Sequence, residues 1–290
     1  VFLWGTLRLI AGFASALLFI VISSEVGEAL TRRGYGHWVG ALYTGVGFGI
    51  ALSGLMVPQL DKVGGWSGSW VGMGAIATFL AVSGVALGRR RDLIQPITIN
   101  TSGQSGRLNS VRLLAIAYFF EGLGYIVTAT FIVAIISVTP GLETFAPYSW
   151  VAVGLAAVPS TLFWPYLARR IGSKKALLSA YLLQTAGILV SIQADSIAEI
   201  LFAAVSFGGT FMGIVAMTLA EGNQRMHGNG GRAAAFLTAS FGVGQVLGPI
   251  LAGILADLQQ GFALPLTLAA VCVILGGLCV VFDRGYKVIK

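Results

Sequence analysis

Nine apolar runs of about twenty residues, each long enough to cross a hydrocarbon core as a helix, follow one another along this 290-residue chain. They read as Trp4–Ser23, Trp38–Val57, Trp66–Gly88, Leu113–Ser137, Ser149–Leu167, Ala176–Gln193, Ile197–Ala220, Ala233–Ala256 and Phe262–Phe282. In lipid the backbone has no water to bond, so a spanning segment of this length and composition must satisfy itself as a helix. The expected fold is therefore all-α and polytopic. Charged residues make up 10% of the chain, against roughly 25% in soluble domains, too few to coat a soluble surface of this size. The 40 glycines lie mostly in apolar runs, where small residues let helices approach closely. Trp4, Trp38, Trp66, Trp70 and Trp150 fall near span ends, as an interfacial aromatic belt requires.

The net charge of +7 raises nucleic acid as a partner, but its placement excludes the usual basic stripe. All but two of the 18 Lys and Arg residues sit in one alternating set of connections and the C-terminal tail. That set holds Arg32, Arg33, Arg89 to Arg91, Arg107, Arg112, Arg169, Arg170, Lys174, Lys175, Arg225 and Arg232, then Arg284, Lys287 and Lys290. Lys62 stands alone in the opposite set, and Arg8 lies within a span. The positive-inside rule makes the first set cytoplasmic, with the C-terminus inside and Val1 outside. The run Arg89 to Arg91 is most simply a topology determinant facing anionic lipid. His37 and His227 fall in or beside these loops, where they are expected to be solvated. Cys272 and Cys279 share one apolar run and have neither disulfide-framework nor metal spacing. No cofactor is expected.

The longest polar connection, residues 89–112, reads as a flexible cytoplasmic linker between 1–88 and 113–290. Three spans precede it and six follow. The chain opens at Val1 in sequence that is already apolar, which leads to the expectation that three further spans precede it. A repeat supports two six-helix halves. Gly45-Val-Gly-Phe-Gly49 and Gly54 lie six spans before Gly242-Val-Gly-Gln-Val-Leu-Gly-Pro249 and Gly253, as in transporters built from parallel repeats. Glycine that simply serves helix packing accounts for the same pattern.

Arg8-Leu-Ile-Ala-Gly12, the glycines from Gly45 to Gly54, Pro165-Tyr-Leu-Ala-Arg-Arg-Ile-Gly-Ser-Lys-Lys-Ala176 and Gly244-Gln-Val-Leu-Gly-Pro249 together resemble motifs of the major facilitator superfamily, along nearly the whole chain. Tyr118-Phe-Phe-Glu-Gly-Leu-Gly-Tyr-Ile-Val-Thr128 and Ala220-Glu-Gly-Asn223 are similar to its YbfB/YjiJ-like subgroup. The resemblance implies nine transmembrane helices of a twelve-helix major-facilitator fold, helices four through twelve, in the bacterial inner membrane. It implies a secondary transporter acting by alternating access, with a small solute and protons as partners, in lipid, as a monomer. A cavity lined by helices one, four, seven and ten would include the spans bearing Arg8, Glu121 and Ser206. Two departures stand out. Pro165 and Arg169 occupy the positions of the family's glycine and aspartate in the basic loop. Ala51 or Leu52 stands near the proline position of its fifth-helix motif.

Two ionisable side chains lie well inside proposed spans, where a charge costs roughly 2.5–3.5 kcal/mol on insertion scales. Arg8 shares a stripe with Gly5, Gly12 and Ser15; it reads either as lining a cavity or as a structural arginine snorkelling outward. Glu121 shares a face with Tyr118, Tyr125 and Thr128 and reads as a substrate-binding or proton-coupling carboxylate. Tyr118 and Tyr125, one turn to either side, are its expected hydrogen-bond donors. A carboxyl locked in an interhelical hydrogen bond is the alternative. Gln184 and Gln245 are mid-span amides that suit either packing or solute contact. Ser206, Gly209 and Gly213 form a small-residue stripe for close helix approach, and Gly45, Gly49, Gly54, Gly244, Gly248 and Pro249 are expected to serve packing. Enzyme classes are excluded for want of required groups. There is no mid-span aspartate pair, no His-Glu-x-x-His cluster and no nucleotide loop of the Gly-x-x-x-x-Gly-Lys type. The remaining alternative function is a transporter-like sensor or scaffold.

Overall fold

A computed structural model describes residues 2–35, 38–89, 108–226, 230–259 and 261–286. The linker expected over 89–112 falls mostly outside the described residues, as do Arg90, Arg91, His37 and His227. The described chain is helical, with no strand: α1 (Phe2–Arg32), α2 (Val39–Leu42), α3 (Thr44–Arg89), α4 (Arg112–Val138), α5 (Ala146–Ile171), α6 (Ser173–Ser191), α7 (Ile197–Arg225), α8 (Gly230–Gln259) and α9 (Ala263–Phe282). Single 3-10 turns, Leu108–Val111 and Glu143–Phe145, lead into α4 and α5.

Seven of these helices are long and apolar enough to cross a membrane. The difference from the nine runs of the sequence has two local causes. The runs around Trp38–Val57 and Trp66–Gly88 join in α3, which is interrupted at Gly65 (φ 60°, ψ −161°). Only glycine adopts that region without strain, and the chain reverses there. Ser69 Oγ donates to Val57 O at 3.4 Å, and a Cβ on Gly68 would stand 3.0 Å from Leu60 O. The second cause is α6, which carries Lys174, Lys175, Gln184 and Thr185 and is too polar to qualify by composition. It is nevertheless a continuous helix, held in the bundle against α7 and α9 by a face of Ala176, Ala180, Tyr181, Gln184 and Ile188.

Helices α4 to α9 form one bundle. Its tightest pairings are α5 with α7, α4 with α8 and α9, and α6 with α7, while α3 lies along α5. α7 is the central element, buried at most positions from Ala203 to Leu219. It begins with a capping box in which Ser196 and Glu199 each bond the other's backbone N–H, satisfying donors that the first helical turn leaves free. The α4–α8 crossing is glycine on backbone. A Cβ on Gly244 would collide with Phe119 O and stand 2.7 Å from Leu123 N, and one on Gly248 would lie 2.7 Å from Leu123 O. Pro249 follows inside α8, freeing the Gln245 carbonyl from its helical partner.

The glycines of α3 divide into two sets. Among the described residues a Cβ on Gly45 or Gly49 would meet nothing within 4 Å. The face turned to α5 is Gly47, Ala51 and Gly54, where a Cβ on Gly47 would lie 2.7 Å from Val158 N and one on Gly54 2.9 Å from Val151 Cγ2. Helical spacings of four and three put these on one side and Gly45 and Gly49 on another.

Candidate functional site

The polar stripe of α4 enters the bundle where α6, α7, α8 and α9 converge. Glu121 is completely buried. Its partner is Gln184 of α6 rather than the expected tyrosines: Gln184 Nε2 donates to Glu121 Oε1 at 2.7 Å. Thr210 Oγ1 of α7 lies 3.0 Å from Gln184 Oε1 and 2.6 Å from Ser206 O. The second carboxyl oxygen, Glu121 Oε2, is buried with no hydrogen-bond partner among the described residues. One acid, one amide and one hydroxyl thus link three helices inside the bundle.

The tyrosines are directed elsewhere because α8 and α7 present aromatic faces to them. Tyr118 stacks on Phe241 with ring centroids 4.4 Å apart. Tyr125 lies nearly parallel to Phe211 and Phe241, at 5.7 and 5.2 Å, and its hydroxyl accepts from Gln245 Nε2. Both mid-span amides singled out in the sequence are therefore bonded to members of the α4 stripe, one to the acid and one to a phenol. Thr128 is buried, its hydroxyl without a partner among the described residues, beside a small crevice lined by Ile132, Ile136, Ser191, Ile200 and Ala203.

Arg8 is not part of this cluster. It is exposed on α1, with its guanidinium 4.5 Å from the Trp70 ring centroid and 5.8 Å from that of Trp4. Of the rest of its stripe, Gly5 and Gly12 face open space among the described residues and Ser15 is exposed. On α7, Ser206 packs against Gly187, Gly209 O accepts from Trp164 Nε1 at 2.6 Å, and a Cβ on Gly213 would strike the Trp164 ring. Cys272 and Cys279 are free thiols, buried and half-buried. No group of residues suited to a metal ion occurs among the described residues.

A charged cluster that sequence reasoning missed lies at one end of the bundle. Arg225 Nε donates to Glu221 Oε1 at 2.9 Å, and Arg225 Nη1 to Asp283 Oδ2 at 2.7 Å and Ser110 O at 3.0 Å. Lys174 Nζ donates to Val281 O and Asp283 O at 2.7 and 3.0 Å. The Tyr286 ring lies 4.4 Å from the Arg225 guanidinium, and burial pushes its phenol above the ordinary range. The available signal was the Glu221/Arg225 spacing of four, which pairs opposite charges on a helix.

Comparisons with known proteins agree with this architecture. A family model described as "Uncharacterised MFS-type transporter YbfB" matches residues 1–281. Among solved structures, the transporter FucP in its outward conformation is similar at 16% identity and TM-score 0.54, over 61% of this chain and 43% of that one. A second structure, of the E. coli fucose:proton symporter FucP, is similar at 14% identity and TM-score 0.58, over 77% and 58%. The chain thus spans about half the length of these structures, and at such identities the likeness is one of fold. No curated protein matches the chain.

Proposed function

Because this chain belongs to the MFS-type transporter family described by YbfB, we propose that it carries a small solute across the bacterial inner membrane by alternating access, coupled to protons through Glu121. Family and fold point to a secondary transporter rather than an enzyme; the mechanism, the coupling and the residues are the proposed part. Residues 1–88 are read as helices four to six of the family plan, 89–112 as the linker and 113–290 as helices seven to twelve. This makes nine spans, with α3 counted as two and α6 included. The lysine- and arginine-rich end, with the C-terminus, is assigned to the cytoplasm, and the protein is assigned as a monomer in lipid.

The observation that carries the reading is the buried Glu121, joined to α6 by a single amide and with one oxygen unpartnered among the described residues. A neutral carboxyl is tolerated in such a place and a charged one is costly. Its protonation state therefore responds to whichever aqueous side the bundle opens toward. Tyr118, Tyr125 and Thr128 complete the proposed stripe, with Tyr125 presented by Gln245.

The test has two stages. Solutes are first found by thermal shift of the purified protein, since a ligand that binds the folded state stabilises it. Monosaccharides head the panel because FucP is a fucose:proton symporter. The solute is then offered to proteoliposomes under an imposed pH gradient. Glu121→Gln keeps the side-chain shape and should retain the thermal shift while abolishing gradient-driven accumulation. Undiminished accumulation with unchanged pH dependence would refute the coupling role.

A further inference from the structure

Thr210 has one hydroxyl proton and three acceptors within reach: Gln184 Oε1 at 3.0 Å, Ser206 O at 2.6 Å and Phe207 O at 3.1 Å. It can serve only one at a time. Gln184, between Thr210 and Glu121, carries a donor and an acceptor at the two corners of one planar amide, and a half-turn of the amide exchanges them with little change in heavy-atom positions. We propose that Gln184 and Thr210 form a two-state relay whose hydrogen-bond polarity reverses when Glu121 gains or loses a proton.

In the first state Glu121 is ionised. Gln184 Nε2 donates to Glu121 Oε1, and Thr210 donates to Gln184 Oε1, the arrangement at 2.7 and 3.0 Å. In the second state Glu121 carries one additional proton on Oε1 and donates it to Gln184 Oε1. The amide has turned, Gln184 Nε2 donates to Thr210 Oγ1, and the Thr210 proton goes to Ser206 O, already 2.6 Å away. No bond other than the new O–H forms, and each of the three hydrogen bonds in the row keeps one donor and one acceptor. The mixed states are disfavoured. A protonated Glu121 beside an unturned amide must hold its proton on Oε2, which has no partner among the described residues, and a buried unpaired donor costs about 1–3 kcal/mol. An ionised Glu121 beside a turned amide faces the amide oxygen, acceptor against acceptor. Proton state and amide orientation are therefore locked together.

Among the described residues, no other charged side chain bonds to this row. The titratable groups facing Glu121 are the phenols of Tyr118 and Tyr125 on its own helix and Tyr181 on α6. Tyr181 donates to Ala117 O at 3.2 Å. Around this row, Thr210 of α7 lies against Gln184, Phe241 and Gln245 of α8 hold Tyr118 and Tyr125, and Cys272 Cβ of α9 would stand 3.3 Å from a Cβ on Gly124. Gln184 is thus a positioning residue that makes α6 and α7 sensitive to a proton bound on α4.

This inference rests on Glu121 as the proton-binding carboxylate, and the test separates the two. The purified protein in lipid, with its glutamine side-chain carbonyls carbon-13 labelled, is titrated by infrared difference spectroscopy. Glu121 is identified by the carboxyl band lost in Glu121→Gln, and Gln184 by the labelled band lost in Gln184→Met, or in Gln184→Asn should the first variant fold poorly. The expected result is a Gln184 carbonyl shift with the same pH midpoint as the Glu121 band. Thr210→Ser should preserve it, and Thr210→Val should uncouple or abolish it. A Glu121 band that titrates while the Gln184 band stays fixed overturns the relay and leaves the coupling carboxylate standing. A Glu121 carboxyl that never titrates overturns both.

Discussion

Gly248 has backbone on one side and a methyl group on the other. A Cβ there would lie 2.5 Å from Ile126 Cγ2 and 2.7 Å from Leu123 O, and only the methyl belongs to a side chain that can move. Gly248→Leu should therefore force α8 off α4, at about the 1–3 kcal/mol typical of overpacking or more. It should lower the thermal midpoint and folded yield in size-exclusion profiles. Gly253→Ala, where a Cβ meets nothing within 4 Å, should leave both unchanged. Equal behaviour of the two variants would deny the close approach. The same residue scale marks what the sequence could tell about the site. That Glu121 points into the bundle was legible because a carboxylate deep in an apolar run must be sheltered from lipid. Its interhelical bond to Gln184 fits both the coupling and the structural reading of it. The partner was not legible, since Gln184 lies 63 residues away, and helical spacing relates only residues on one helix. The tyrosines were the natural donors on that helix, but the aromatic faces of α7 and α8 claimed them.

At the scale of the element, hydrophobic length placed the helices and polar punctuation placed most of their ends. It says least at the two places where local chemistry departs from that grammar. α6 buries polar side chains against polar partners, so its composition understates how firmly it is held. The turn inside α3 has no loop, only Gly64 and Gly65, with the reversal concentrated in one residue of positive φ. That yields a sharp contrast between neighbours. Gly65→Ala imposes a conformation that L-residues avoid, costing about 1–3 kcal/mol, although space for the methyl is open. Gly64→Ala has equally open surroundings and no positive φ. The first should lower the thermal midpoint of the detergent-purified protein and the second should not. Equal loss in both would mean that crowding, rather than backbone conformation, governs the turn.

Across the whole molecule, the charged cluster ties segments distant in sequence at one end of the bundle. Arg225 joins Ser110 before α4 to Asp283 after α9, and Lys174 at the head of α6 bonds the same C-terminal stretch. The Arg225 and Asp283 side chains are only 6% and 7% exposed. Asp283→Asn removes a charged acceptor while Glu221 remains, so a loss of roughly 1.5–3 kcal/mol, the range for hydrogen bonds to charged groups, is expected in chemical denaturation. An unchanged stability would show that Glu221 alone satisfies Arg225. The cluster also bears on orientation. It gathers the starts of α4 and α6 with the ends of α7 and α9 on one side, and the sequence assigns these ends to the basic, cytoplasmic set. Glu143, between α4 and α5, belongs to the opposite set. Lys174 is a poor reporter because its amine is engaged, whereas Lys175 and Glu143 are exposed. In a background lacking Cys272 and Cys279, an impermeant thiol reagent added to intact cells should label Glu143→Cys and spare Lys175→Cys until the membrane is opened. The reverse pattern would invert the assigned orientation, including the cytoplasmic position of the charged cluster.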